Sequence, residues 1–157
     1  MSRIKKGGAL AASVVALVSG FEGLRTYAYR DPVGIPTICF GETRGVKMGD
    51  HKTPAECKDM LISRLAEFET GMRKCLASPD TIPDNAYAAF LSLSYNIGTG
   101  TFCKSSVARN ANAGNIRAAC DSILAFNKAR AAGVLVTLPG LTKRRAKERE
   151  LCLRGLQ

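Results

Sequence analysis

Apolar positions run along this chain in two rhythms. Leu10, Val14, Leu17, Val18 and Phe21 recur at helical spacing in a stretch without proline, which predicts a helix over residues 9–21 leading into Glu22. From 25 to 50 the texture changes to the strand formers Tyr27, Tyr29, Thr37, Ile38 and Phe40, punctuated by the turn signals DPVG, FGETRG and MGD. A small antiparallel hairpin sheet is predicted there. TPAE at 53–56 is a capping box with Thr53 as N-cap, proline at the first helical position and Glu56 three residues after the cap. Leu61, Leu65, Phe68, Met72 and Cys75 follow at steps of three or four, predicting a helix to about Leu76 and about 35 Å long at 1.5 Å per residue. The stretch Asn85 to Ile97 is apolar on nearly every side and reads as a buried central helix. Two further helices are predicted at about 105–111 and 115–130, separated by NAG; AAGVLVTLPG reads as a loop, and Thr142 as the cap of a basic last helix. There is no internal repeat, low-complexity tract or linker. Helices with one small sheet near the start make the class α+β.

Composition narrows the setting. A chain of 157 residues, 46% hydrophobic, is long enough to bury a core as one domain. The formal net charge of +10 points to a polyanionic partner. Nucleic acid, an anionic membrane and bacterial cell wall all qualify, and charge for solubility alone is the competing reading. Six cysteines, none in a C-x-x-C pair, and His51 as the only histidine exclude the usual zinc spacings, so no metal is expected. An even number of scattered cysteines reads as three disulfides formed in an oxidising destination, against the alternative of reduced core thiols. Fifteen pairings are open on arithmetic alone. Each bridge would contribute about 3–4 kcal/mol.

The N-terminus, MSRIKKGGALAASVVALVSGF, has a basic start and then 15 uncharged residues from Gly7 to Phe21. That is the layout of an export signal, although the run is shorter than the roughly 20 residues that span a bilayer comfortably. Cleavage at ALVSG would leave Glu22 almost at the new terminus. The competing reading is an ordinary helix packed on the core.

Candidate chemistry starts where that apolar run stops. A carboxyl flanked by core residues, as Glu22 is expected to be, is partly desolvated, and desolvation favours the proton-carrying form that a general acid needs. Asp31, in a turn before Pro32 and Gly34, is expected to be solvated. Two carboxyls in unlike environments divide into acid and base roles, as glycoside hydrolysis requires. Thr37, on a strand facing the same cleft, would hold the attacking water. Spacing alone is weak support, because two acids nine apart are common.

The surroundings add to it. FEGLRTYAYRDPVGIPTICFGET resembles the active-site signature of the phage-type lysozymes, glycoside hydrolase family 24: Glu, eight residues, Asp, five residues, Thr. The likeness continues through TPAEC, LSYNIGTGTFCKS, AGNIRAACD and PGLTKRRAKERELCL, so it covers nearly the whole chain from about residue 12. It is strongest to phage and prophage endolysins that carry an N-terminal signal-anchor-release segment. The resemblance implies a lysozyme-like fold, with a small antiparallel β lobe (about 25–52) joined by a long helix to a larger helical lobe (about 53–157 plus the first helix). Residues 1–21 would be the signal-anchor-release-like segment, and 12–157 the catalytic domain.

It implies further a muramidase that hydrolyses the β-1,4 bond between N-acetylmuramic acid and N-acetylglucosamine in peptidoglycan and so lyses the host cell, without cofactor or metal. Glu22 takes the acid role, with Asp31 and Thr37 activating water on the other face of the sugar. Tyr95 and Asn96 in SYNIG would line the saccharide groove, Ser105 and Ser106 would add hydrogen bonds, and Arg144, with Arg145 close behind, would support the acid. The disulfides implied are Cys39–Cys57, Cys75–Cys103 and Cys120–Cys152. The protein is expected to be a monomer, exported to the host periplasm and transiently tethered to the inner membrane through residues 7–21; the alternative is retention in the host cytoplasm until a holin releases it. Many relatives carry histidine where Glu42 stands, and Glu42 is expected to be solvated.

Three other readings share some of these features. A non-catalytic wall-binding module would have the same charge and disulfides. A lytic transglycosylase would cut the same bond without water, which the Asp31/Thr37 pair argues against. KRRAKER suggests a nucleic-acid-binding helix, but three disulfides, an export-like start and the absence of aromatic residues among the basic ones exclude nucleic acid as the expected partner.

Overall fold

The computed structural model describes residues 1–156, and they divide into two compact units. The first takes in Met1 and residues Arg3–Glu67; the second takes in Ser2 and the chain from Phe68 onwards.

In the first unit, a 3-10 turn at Ile4–Lys6 precedes helix α1 (Gly8–Glu22). Leu10, Ala11, Val14 and Val18 are its buried stripe, at the three- and four-residue spacing of one helix face. The helix ends on Glu22, and the Gly23 N–H closes its last turn on the Ser19 carbonyl at 3.1 Å. Strand β1 (Arg25–Arg30) then pairs antiparallel with β2 (Pro36–Cys39). Residues 50–52 run along β1 through a Tyr27–His51 bridge, with Ala28 N–H to Asp50 O and Lys52 N–H to Thr26 O, both 2.9 Å. Ile38, Cys39 and Cys57 form a small core here, covered by Ala28, Phe40, Val46 and Met60. Helix α2 (Pro54–Lys74) starts on the expected capping box: the Glu56 N–H donates to Thr53 Oγ1 at 3.1 Å and the Thr53 N–H to Glu56 Oε2 at 2.8 Å.

In the second unit, the remainder of α2 leads through a 3-10 turn at Pro79–Thr81 to α3 (Asp84–Ile97), which is buried without a break from Ala86 to Ser94. Every side of this helix is apolar or small because every side faces protein. Helices α4 (Thr99–Cys103), α5 (Ser106–Asn112) and α6 (Ile116–Ser122) follow, then strands β3 (Lys128–Ala131) and β4 (Val134–Thr137), and α7 (Pro139–Leu153), which packs on α3. Ser2 donates to Glu69, whose other oxygen accepts from the Tyr87 hydroxyl at 2.6 Å.

The sulfurs of Cys39 and Cys57 are bonded in the first unit, and those of Cys75 and Cys103 and of Cys120 and Cys152 in the second. These are the three pairs the resemblance implies.

Three expectations are corrected. The stretch read as a loop is a second two-stranded sheet, with Arg130 opposite Leu135 and Ala131 opposite Val134 across a tight turn at Ala132 and Gly133. The helix expected over 115–130 stops at Ser122 and continues only as a 3-10 turn to Ala125. The last helix begins at Pro139, not at a Thr142 cap, since proline's fixed φ suits the first helical position. Thr142 Oγ1 instead donates to the Leu138 carbonyl at 3.2 Å.

Candidate active site

The hairpin turn is built around one carboxylate. Asp31 Oδ1 accepts the Val33 N–H at 3.0 Å and the Ile35 N–H at 2.9 Å. The Asp31 carbonyl accepts the Gly34 N–H, and the Asp31 N–H donates to the Ile35 carbonyl at 3.0 Å. Aspartate favours such turns because its short side chain bonds backbone amides a few residues on. Across the hairpin Tyr29 faces Thr37 and Arg30 faces Pro36, so Asp31 and Thr37 lie at the same end of the ribbon. Thr37 Oγ1 donates to the Ile35 carbonyl at 2.9 Å. The Ile35 backbone therefore holds Asp31 by both its N–H and its C=O, and the same C=O accepts the Thr37 hydroxyl. Thr37 is only 3% exposed, and Asp31 is half-buried.

Glu22, the last residue of α1, is half-buried in the same unit. Its carboxylate lies against the loop after β2: a Cβ added to Gly41 would sit 3.4 Å from Glu22 Oε2. Gly41 has φ +82°, a conformation that side chains other than glycine's disfavour, so both backbone and space suit glycine here. Glu22, Asp31 and Thr37 thus all belong to the first unit, Asp31 in the hairpin turn, Thr37 on β2 beside it and Glu22 at the end of the helix that feeds the hairpin.

Glu42, expected to be solvated, is not. Its side chain is 15% exposed; Oε1 accepts the N–H groups of Thr43 and Arg44, each at 2.9 Å, and Oε2 lies 3.7 Å from Arg64 Nε. A glutamate whose oxygens face two amides and a guanidinium has exchanged water for protein donors.

The remaining expected residues lie in the second unit. Tyr95 is half-buried at the end of α3, edge-on to Phe68 with ring centroids 5.0 Å apart. Asn96 is exposed and, with Ile97, Thr101, Phe126 and Lys128, lines a cavity of about 380 Å³. Ser105 is 6% exposed and caps α5, accepting the Ala108 N–H at 3.2 Å and donating to the Phe102 carbonyl at 2.6 Å. Ser106, half-buried, opens α5. Arg144 is buried, with Nε 3.3 Å from Glu148 Oε1. Arg145, fully buried, lies 2.7 Å from Glu148 Oε2, and burial pulls its guanidinium below the ordinary arginine range while Glu148 opposes that shift. Among the described residues no cluster of His, Cys, Asp or Glu could hold a metal ion, and no helix is long and apolar enough to cross a membrane.

Comparison with known proteins gives one family. Residues 19–148 match the family model described as phage lysozyme. A SAR-endolysin of Pseudomonas phage phiKMV is 38% identical over 98% of this chain and 93% of its own, and one of Enterobacteria phage P21 is 35% identical over 96% and 92%. Among solved structures, an endolysin from Escherichia coli O157:H7 phage FAHEc1 superposes with TM-score 0.84 at 30% identity, covering 94% of each chain. The active form of P1 phage endolysin Lyz superposes with TM-score 0.83 at 28% identity, covering 98% of this chain and 90% of that one.

Proposed function

Since this chain belongs to the phage lysozyme family and is accordingly a glycoside hydrolase acting on peptidoglycan, we propose that it is an inverting muramidase cutting the β-1,4 bond between N-acetylmuramic acid and N-acetylglucosamine. Glu22 donates its proton to the glycosidic oxygen as the bond from the anomeric carbon breaks. A water on the opposite face of the muramic acid ring supplies the electron pair of the new bond, and Asp31 takes that water's proton. Proton exchange with solvent then returns a proton to Glu22 and removes the one taken by Asp31, closing the cycle.

The observation that carries this reading is the shared Ile35 backbone. Both amide bonds to the Asp31 side chain fall on Oδ1, which leaves Oδ2 to address a water. The Thr37 hydroxyl proton is committed to the Ile35 carbonyl, so Oγ1 faces an incoming water as an acceptor. Carboxylate and hydroxyl are held by the backbone of one residue, Ile35, through its N–H and its C=O, and can fix one water between them. Tyr95, Asn96 and Ser106 are the proposed sugar contacts, and Arg144 the proposed supporting arginine.

Glu22→Gln and Asp31→Asn should each lower turnover of purified wall by about 10²–10⁴-fold while leaving wall binding intact. Parental clearing of wall suspensions by Glu22→Gln would defeat the reading, and loss of clearing with a 1,6-anhydro product from the parent would favour a transglycosylase.

The same reading extends to location. Relatives named SAR-endolysins support export to the host periplasm, with residues 7–21 held transiently at the inner membrane before they fold as α1. At 15 residues α1 is about 22 Å long, short of the roughly 30 Å hydrocarbon core, which favours release over permanent anchoring. The net charge of +10 suits an anionic wall. A permanent transmembrane helix fused before Ser2 should abolish lysis while the soluble protein stays active as a monomer; full activity of the tethered form would refute the release step.

A further inference from the structure

The loop that touches the catalytic carboxyl is tied to α2 at more than one point. Cys39 and Gly41 both have positive φ, +61° and +82°. The Ile38 and Glu42 peptides exchange two hydrogen bonds of 2.9 Å, closing Cys39–Phe40–Gly41 into a tight loop. One end of that loop is bolted to α2 by the Cys39–Cys57 bridge. The other end is held by Glu42, whose Oε2 faces Arg64 Nε, and Arg64 lies seven residues, or two helical turns, beyond Cys57 on the same face of α2. Glu67 anchors the network from outside: Arg64 Nη1 reaches its Oε2 at 3.0 Å, and Arg44 Nη2 reaches it at 2.9 Å.

Burial decides which link matters. Arg44 and Glu67 are 59% and 53% exposed, so solvent screens their pair to little effect. Glu42 at 15% and Arg64 at 32% sit largely out of water, and Glu42 also satisfies two backbone amides.

We propose that Glu42, through Arg64, is a positioning residue for the reaction: it presses the Gly41 backbone against the Glu22 carboxyl and so fixes the acid's orientation toward the glycosidic oxygen. Glu42 touches no substrate; it acts through Gly41, whose added Cβ would meet Glu22 Oε2 at 3.4 Å. This rests on Glu22 being the acid.

The test is steady-state cleavage of solubilised glycan strands at 25 °C by Glu42→Ala, Arg64→Met, the double variant, Glu42→Gln and, as a stability control, Thr53→Ala, which breaks the α2 capping box away from Gly41. Misplacing a reacting group by an ångström costs about 10²-fold, so kcat of Glu42→Ala and of Arg64→Met should fall about 10- to 100-fold with KM nearly unchanged. The double should be no slower than the worse single, since both break one link. Glu42→Gln, which keeps an acceptor for the Thr43 and Arg44 amides, should recover part of the loss. Thr53→Ala should lower the melting temperature without lowering kcat. Parental kcat in both single variants, additive losses in the double, or a kcat loss in Thr53→Ala matching that of Glu42→Ala would overturn the positioning role. Glu22→Gln run in parallel separates the two claims: if it is inactive while Glu42→Ala is normal, only the positioning inference falls; if it turns over normally, the underlying reading falls.

Discussion

Substitution of Glu148 by glutamine isolates one electrostatic effect in the second unit. Glu148 has no exposed surface, and three groups converge on it: the Ser92 hydroxyl at 2.7 Å, Arg145 Nε at 2.7 Å and Arg144 Nε at 3.3 Å. Arg145 also donates to the Phe126 carbonyl at 3.1 Å, which ties α7 to the segment before β3. Glutamine keeps the shape and one oxygen for Ser92, so little packing is lost. The counter-charge is lost, and two guanidiniums with 7% and 1% exposed side chains would face each other without it. Breaking a buried pair from one side costs about 3–5 kcal/mol. The residual amide acceptor argues for the lower end, about 3 kcal/mol. For a chain of this size each kcal/mol moves the melting temperature by about 2–4 °C, giving a fall of about 6–12 °C. The assay is thermal unfolding followed by circular dichroism at neutral pH with disulfides intact. Ser92→Ala, which removes one hydroxyl donor to the carboxylate but leaves both ion pairs, should cost about 1.5–3 kcal/mol. A Glu148→Gln protein melting within about 2 °C of the parent would show that the site is solvated or rearranges, refuting the reasoning.

Three further outcomes follow from local geometry. Gly71→Ala should lower the melting temperature despite alanine's better helix propensity, because its Cβ would lie 2.5 Å from Thr99 Cγ2; adding Thr99→Ala should restore the loss, and no loss in the single would refute the clash. Ala132 has φ +50° beside Gly133 at φ +79°, the two-residue turn that prefers Asn-Gly, so Ala132→Asn should stabilise the fold by about 0.5–1 kcal/mol in urea unfolding, and a decrease would contradict the turn assignment. Burial, then the hydrogen bond to Glu69, raises the Tyr87 phenol above its ordinary range while Arg73 opposes the shift. A pKa higher in the folded than in the unfolded chain means stability is intact below about pH 10 and lost as pH rises through the folded value. Tyr87→Phe should flatten that alkaline fall in the urea midpoint; an unchanged slope would assign it elsewhere.

Features governed by neighbouring residues were legible in the sequence. The Thr53–Glu56 capping box depends on residues three apart, and it forms as read. The hairpin turn needed only Asp31, Pro32 and Gly34, and the buried central helix needed only its unbroken apolar composition. The β3–β4 hairpin is hidden in the sequence because its turn carries alanine where asparagine would signal it, and because Lys128 and Arg130 in β3 alternate with alanines rather than with β-branched or aromatic residues. Glu42 was misjudged for a different reason. Its partner Arg64 is 22 positions away, and only the folding of the β2 loop onto α2 brings the two together. Ser105 shows how local the capping signal is: a serine just before a helix start caps α5 by accepting the Ala108 N–H.

The stereochemistry of the first product tests the central claim most directly. Proton NMR of the anomeric region, recorded as the protein cleaves a defined peptidoglycan oligosaccharide, resolves the new reducing end before it mutarotates. Attack by a water held between Asp31 and Thr37, on the face opposite Glu22, predicts that the α anomer appears first. The β anomer appearing first, or a product lacking a reducing end, would contradict the account.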